Sequence, residues 1–442
     1  MRWFERRTSQ SLALAAALLL TALSSVGVAE AQPYNPPFNS GVDAAKPPGY
    51  PVVPGIWKLH GQDPNLPTDD LEPLRRMIGR SSVVAFGESV HASGGFYDTK
   101  HRMFRFLVEK MGFRVFVIES SWSGAEDVER YIHTSCEGSP ERTLDRHHGV
   151  WASTEMADFV QWMCEWNRNH PRPADKIHYY GYDIQQSNID APALTAFLTR
   201  TGTPEDHPWF PALQDCNYVR QNFPREEYPE ELYGRCMQAL REIEGHFRSN
   251  ERSLRAQTSR YDFEIARLRV VGMLAHQEMA FVLHRNFAAG FTARDLGMAY
   301  AFHKLRELHF PRSKVMIWAS DMHVAKSVLP DGSHPVGSHL AKALKRDYLS
   351  FSLSAYETEY DILGTDCGPI ERKPGSVDER LNELGPDTLL VDTAFPGTRR
   401  PYLPGGLLTI GVLEWELKRH FNGVIWMRHS PRMHPLWWPA CK

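Results

Sequence analysis

The chain has almost no excess charge of either sign: 50 lysines and arginines stand against 53 aspartates and glutamates, a net −3 at pH 7. Nucleic acid is therefore not an expected partner, because binding a phosphate backbone needs a basic surface. Beyond the first 31 residues no apolar run approaches the roughly 20 residues that span a bilayer, so no stable membrane anchor is expected once that leader is removed. No internal repeat or low-complexity tract is present, which sets aside a repeat architecture. The chain also lacks an HExxH pair, the local signature of many zinc hydrolases. The run GESVH (87–91) has histidine where the GxSxG elbow of a serine hydrolase closes on glycine, which argues against Ser89 as a nucleophile.

What is present begins with an export signal over residues 1–31. Arg6 and Arg7 precede an apolar run from Leu12 to Leu23, and Ala29, Glu30 and Ala31 form a small-residue cleavage site. A secreted or periplasmic location follows from that reading. Six cysteines in an exported chain favour disulfides. Connectivity is open in principle; the pairing expected here is Cys136 with Cys164, Cys216 with Cys236, and Cys367 with the tail residue Cys441.

Residues 32–70 are expected to be an extended lead-in, rich in proline, glycine and asparagine in its first part. Residues 71–442 are expected to form one α/β hydrolase-like catalytic domain. Four apolar runs each end in an acid or a histidine: VVAFGESVH (83–91), VFVIES (115–120), HYYGYD (178–183) and VMIWASDMH (315–323). Runs of this kind separated by helical patterns read as buried parallel strands, giving a central, mostly parallel sheet flanked by helices. Helical periodicity is clear from Phe96 to Met111, ending at Gly112, and from a Ser153 N-cap onward. The stretch from about 226 to 308 reads as a helical cap or insertion beside the sheet. Tyr348–Leu353, Leu389–Val391 and Val424–Met427 offer further strands. Ligands of open α/β sheets sit at the carboxyl ends of the strands, where Glu88, His91, Glu119, Asp183, Asp321 and His323 are expected to meet.

The run GESVHASGGFYDTKHRMFRFLVEKMGFRVFVIES (87–120) resembles the signature of the erythromycin esterase family. The segments VWASTEMADFVQWMCEWN, YYGYDI, ARDLGMA and IWASDMHVAK resemble that family's later blocks, in the same order. The resemblance implies an α/β fold and hydrolysis of an ester such as a macrocyclic lactone. It also implies roles: His91 as general base, Glu88 and Glu119 as pocket carboxylates, His323 as a second histidine, and Arg294 lining the cleft. Lys100 stands where family members usually carry arginine, and Ser320 and Asp321 stand where histidine and asparagine are usual.

Hydrolysis by water needs a base to take its proton and a donor for the oxyanion that forms. Histidine suits the first task because its ordinary pKa lies near 6.5, and a carboxylate on the second ring nitrogen fixes the tautomer. His91 is the expected base, Glu119 or Glu88 the expected orienter, and His323, Lys100 or Arg294 the donors. Trp151, Asp183 and His276 complete the expected substrate-binding set. Each also has a plain structural reading, as a packed indole, a helix N-cap and a satisfied core histidine respectively. No cofactor is expected for this chemistry. The alternative is a zinc hydrolase or metalloprotease-like protein, which would require nitrogens of His91 and His323 and a carboxylate oxygen all about 2.1 Å from one point. A non-catalytic relative that binds a ligand without turnover is the remaining alternative.

Overall fold

The structure, a computed structural model, describes residues 47–218, 227–370, 376–394 and 417–441. The expected export signal lies outside the described residues. In chain order the strands are β1 (Pro51–Val53), β2 (Ile56–Lys58), β3 (Val83–Phe86), β4 (Phe113–Ser121), β5 (His178–Asp183), β6 (Lys314–Trp318), β7 (Tyr348–Ile362), β8 (Asp366–Pro369), β9 (Thr388–Asp392) and β10 (Gly423–Ser430). They form one ten-stranded sheet in the order β1-β2-β9-β10-β7-β3-β6-β4-β5, with β8 paired to β7. The six strands from β10 to β5 are mutually parallel, whereas β9, β2, β1 and β8 pair antiparallel. The parallel centre is the expected sheet, and the antiparallel strands make it mixed.

The parallel centre follows from composition. All four residues of β3 are buried, and so are eight of the nine in β4. A strand buried on both faces needs helices on both sides, and apolar runs without alternation satisfy that. Helix α2 (Gly94–Met111) lays Phe96, Met103, Phe104 and Leu107 into the same core as Phe116, Phe159 and Trp318. It stops where Gly112 takes a left-handed φ of 73°. Helix α3 (Trp122–His133) follows β4, and α4 (Thr154–Asn169) begins where Ser153 Oγ accepts from Met156 N, as the sequence predicts.

The part of the lead-in from 51 to 58 is extended and joins the sheet edge as β1 and β2. The stretch expected as a cap contains three long helices, Glu230–Gln257, Arg260–Leu283 and Phe287–His309. With α5 (Ser187–Arg200) and α6 (Trp209–Asp215) the first two build a second core around Leu194, Phe197, Leu240, Phe247, Phe263 and Met273. The last of them, Phe287–His309, packs beside β5. All three expected disulfides are present. Among the described residues no helix is long and apolar enough to cross a membrane.

Sheet order decides where the chemistry falls. Because β6 lies between β3 and β4, and β5 next to β4, the strands that lead to Glu88, Trp318, Glu119 and Asp183 end side by side.

Candidate active site

The chain leaves β3 through Gly87, where a Cβ would overlap Asp321 Oδ1 and press on Asp321 Cα; only glycine lets the two strand ends approach this closely. Glu88 follows, wholly buried, with both oxygens engaged. Oε1 lies 2.6 Å from His91 Nδ1, and Oε2 accepts from Lys100 Nζ at 2.6 Å and from Trp318 Nε1 at 3.0 Å. Lys100 also lies over the Trp318 ring, 4.5 Å from its centroid. The loop carrying His91 is held at the next residue. Ala92 takes a φ of 63°, costly for a side chain, and its N–H donates to Tyr97 Oη while its carbonyl accepts from Asp361 N and Met433 N.

Glu119, from β4, turns Oε2 toward Ser320 N at 2.8 Å and Oε1 into a space it shares with Arg294, His323 and His91. Oε1 lies 2.9 Å from Arg294 Nη2, 3.1 Å from His323 Nε2 and 3.8 Å from His91 Nε2. The last distance is too long for a direct hydrogen bond and suits one through water. Arg294 descends from the helix Phe287–His309. It is pinned by Asp183, whose Oδ2 accepts from Nη2 at 2.6 Å and whose Oδ1 accepts from Nε at 3.2 Å. His148 Nε2 approaches the same Oδ2 at 3.0 Å. On the far side of His323, Nδ1 meets Asp295 Oδ1 at 2.8 Å, and Phe291 stacks on the ring at 4.7 Å between centroids.

Burial and charge set the protonation states. Burial works against ionisation of Glu119 and Asp183, yet basic neighbours and hydrogen bonds outweigh it and hold both below the usual carboxylate range: chiefly His323 for Glu119 and Arg294 for Asp183. His323 is disfavoured as a cation by burial but raised to about 9 by Asp295 and Glu119. Its Nε2 also sits 3.0 Å from Arg294 Nη1, a contact that needs a lone pair there, whereas the Glu119 contact needs a proton. The ring thus has a partner in either state. Burial pulls Lys100 down to about 8 against the pull of Glu88, and pushes Asp321 up to about 8.

The structure brings Glu88, His91, Lys100, Glu119, Asp183, Arg294 and His323 into one network. Lys100 has no exposed side-chain surface and lies behind Glu88, so its contact is with the acid and not with the open side of the site. Trp151 is buried, donates Nε1 to the Glu119 carbonyl at 2.7 Å and meets His91 edge-on. His276 bonds Ser187 Oγ through Nδ1 at 2.8 Å, the arrangement of a satisfied interhelical histidine. Asp321 corrects the expected convergence: its Oδ2 accepts from Ser352 Oγ at 2.6 Å, its Oδ1 has no hydrogen-bond partner among the described residues, and its link to the site is backbone N to Glu88 O. Asp295 and His148 were not singled out from sequence. Asp295 directly follows Arg294 in ARDLGMA, and that adjacency was its one signal; His148 sits in a loop without periodicity.

Two side chains of the network reach solvent more than the rest, His91 at 11% and Arg294 at 16% exposure. His91 and Arg294 are therefore the members of this network that solvent reaches most.

The sequence profile of the family described as erythromycin esterase matches residues 108–430, a span that holds Glu119, Asp183, Arg294 and His323 and begins after Lys100. YbfO of Bacillus subtilis, which carries a provisional hydrolase name, is 22% identical over 403 residues, covering 83% of this chain and 87% of that one. The erythromycin esterase type II of Escherichia coli is 29% identical over 131 residues, 30% of each chain. Among solved structures, a mutant of the erythromycin esterase EreC in its open conformation superposes with a TM-score of 0.66 at 15% identity, over 84% of this chain and 96% of that one. A Bacillus cereus protein superposes with a TM-score of 0.69 at 21% identity, over 85% and 95% respectively. These similarities establish the fold.

Proposed function

This chain belongs to the erythromycin esterase family, and from that membership we propose an exported hydrolase that cleaves a carboxylic ester or lactone with water activated by His91. Family and relatives support hydrolase chemistry as a class; the ester is what the family resemblance implies, and the mechanism is our reading of the site.

The observation that carries the reading is the 2.6 Å bond between Glu88 Oε1 and His91 Nδ1. A proton held on Nδ1 leaves the lone pair on Nε2, which faces Glu119 Oε1 across 3.8 Å. A water bridging these atoms gives its proton to Nε2 as its oxygen bonds to the substrate carbonyl carbon. The carbonyl π electrons move to oxygen, and Arg294 with the cationic His323 faces that oxyanion. Collapse of the tetrahedral intermediate expels the alcohol oxygen, which recovers a proton from imidazolium. Water and ester are consumed, acid and alcohol are formed, and no covalent enzyme intermediate is needed.

Arg294 also bears on the zinc alternative. Its guanidinium lies 2.9 Å from Glu119 Oε1 and 3.0 Å from His323 Nε2, so a fixed positive charge already occupies the approach to the atoms a metal would need. Three disulfides, together with the leader expected from the sequence, are in keeping with export.

Turnover of a panel of aryl esters, alkyl esters and macrocyclic lactones by native protein and His91→Ala tests the proposal. Hydrolysis of at least one class by native protein, reduced about 10²–10⁴-fold in the variant, is expected. Full activity in His91→Ala, or binding of panel members without hydrolysis by the native protein, would overturn it.

A further inference from the structure

A second constellation of chemically competent side chains lies at the opposite end of β5. Glu129 and His133 are one turn apart on α3 and so share a face. His178 opens β5, the outermost strand on this side of the sheet. Asp183 closes the same strand five residues later, so this cluster is about 16 Å from the candidate active site at roughly 3.3 Å per residue.

The three donor atoms converge. Glu129 Oε1 lies 2.7 Å from His178 Nδ1 and 3.2 Å from His133 Nε2, and the two ring nitrogens lie 3.2 Å from each other. Donors bound to one tetrahedral zinc at about 2.1 Å stand about 3.4 Å apart, so a point within bonding distance of all three needs only small adjustment. Without a cation, a single carboxylate oxygen has to serve both ring nitrogens, which themselves stand only 3.2 Å apart. The second carboxylate oxygen is already held, Oε2 accepting from Tyr179 N at 2.7 Å, which fixes the aim of Oε1 in the way outer hydrogen bonds aim metal ligands. The side chains are 25%, 26% and 36% exposed for Glu129, His133 and His178, open enough for an ion to enter. A cavity of about 260 Å³ adjoins Glu129, lined also by Trp122, Tyr179, Tyr180, Tyr261 and His309, and offers room for a fourth ligand.

We propose that Glu129, His133 and His178 form a binding site for a divalent transition metal of the zinc class, with one position open toward this cavity. Two imidazoles and one carboxylate are the donor set such ions take. The ion ties the outermost strand to α3.

Protein stripped with a chelator and exchanged into metal-free buffer is titrated with Zn²⁺ by calorimetry and with Co²⁺ by visible absorption. One equivalent should bind, with the intense d–d bands of tetrahedral cobalt and a raised melting temperature. Loss of an outer hydrogen bond alone costs about 10–100-fold in metal affinity, so His178→Ala and, independently, His133→Ala should each weaken binding by at least about 100-fold. His91→Ala with His323→Ala should leave it unchanged. Far-UV circular dichroism confirms that each variant is folded. No saturable binding to native protein, binding that survives both His178→Ala and His133→Ala, or binding lost with His91 and His323 instead would overturn the assignment. None of these readouts depends on hydrolysis, so failure here leaves the proposed esterase chemistry standing, and the reverse.

Discussion

Glu88 and His91, three residues apart on the loop that leaves β3, are joined by a 2.6 Å hydrogen bond through Oε1 and Nδ1. The acid is wholly buried and the ring is partly open, so a single short segment supplies both a fixed anchor and a reachable nitrogen. Glu119 faces that nitrogen from the neighbouring layer of the site without touching it.

Replacing Glu88 by glutamine keeps a side chain of the same shape but removes the charge that favours the imidazolium. Turnover should fall about 10²-fold or more, with the loss in kcat and little change in KM. Steady-state kinetics on any ester the native enzyme hydrolyses checks this, and unchanged kcat would count against Glu88 as the orienter.

Lys100 and Glu88 form a fully buried pair. Removing one partner of such a pair strands a charge and typically costs about 3–5 kcal/mol. Lys100→Met should therefore destabilise strongly in a urea unfolding experiment. The double variant Glu88→Gln with Lys100→Met should lose clearly less than the sum of the single losses, because the second change removes the stranded charge. Additive losses would show that the pair is not coupled.

His323 is raised to about 9 in the folded protein against about 6.5 in an unfolded chain. A raised value of this kind adds stability that is complete below pH 6.5 and disappears as pH climbs through 9. The stability difference between native protein and His323→Asn should shrink by an amount on the order of 2–3 kcal/mol between pH 6 and pH 10. Taking the difference cancels the contributions of Lys100 and other groups present in both proteins. A difference flat across that range would contradict the charged state of His323.

Cys216 and Cys236 are 20 residues apart and fasten α6 to the helix Glu230–Gln257. Closing a loop of that size contributes about 3 kcal/mol in the chain-entropy account. Cys216→Ser with Cys236→Ser should lower the unfolding free energy by that order while leaving turnover of the folded enzyme largely intact, since neither residue touches the network around Glu119.

Chelator treatment should leave ester turnover at 25 °C within about twofold while lowering the melting temperature. The distance between the Glu129 cluster and the catalytic network, about 16 Å along β5, separates the two effects. Should a chelator abolish turnover, the decisive control is His178→Ala: a variant that retains native turnover and native chelator sensitivity would move the metal to His91 and His323.

The main strands were legible because buried parallel strands are written as uninterrupted apolar runs, and VVAF, VFVI and VMIW each appear as such. The residues just beyond them then fell at the strand ends by geometry alone. Short edge strands left little trace. Pro51–Val53 and Ile56–Lys58 have three residues each, too few to show a period among prolines and glycines. Partners that arrive from far along the chain were equally hidden. Beyond its place next to Arg294, nothing in the sequence sets Asp295 against His323, and nothing there shows that Trp318 Nε1 bonds Glu88. Lys100 reads from sequence as a possible donor on an amphipathic helix; only its bond to the acid that follows β3 shows that its charge is taken up by Glu88.

The braces on the loop after His91 come from the very end of the chain. Met433 N reaches the Ala92 carbonyl, Leu436 N reaches Ala152 beside Trp151, and Cys441 is clipped to Cys367. A ribosome delivers β3 through β6 long before these residues, so a nascent chain has four of its parallel strands while the residue after His91 still lacks these braces. The final clip also needs oxidising conditions to form. The support under the residue next to His91 is therefore complete only once the last stretch of the chain has been made.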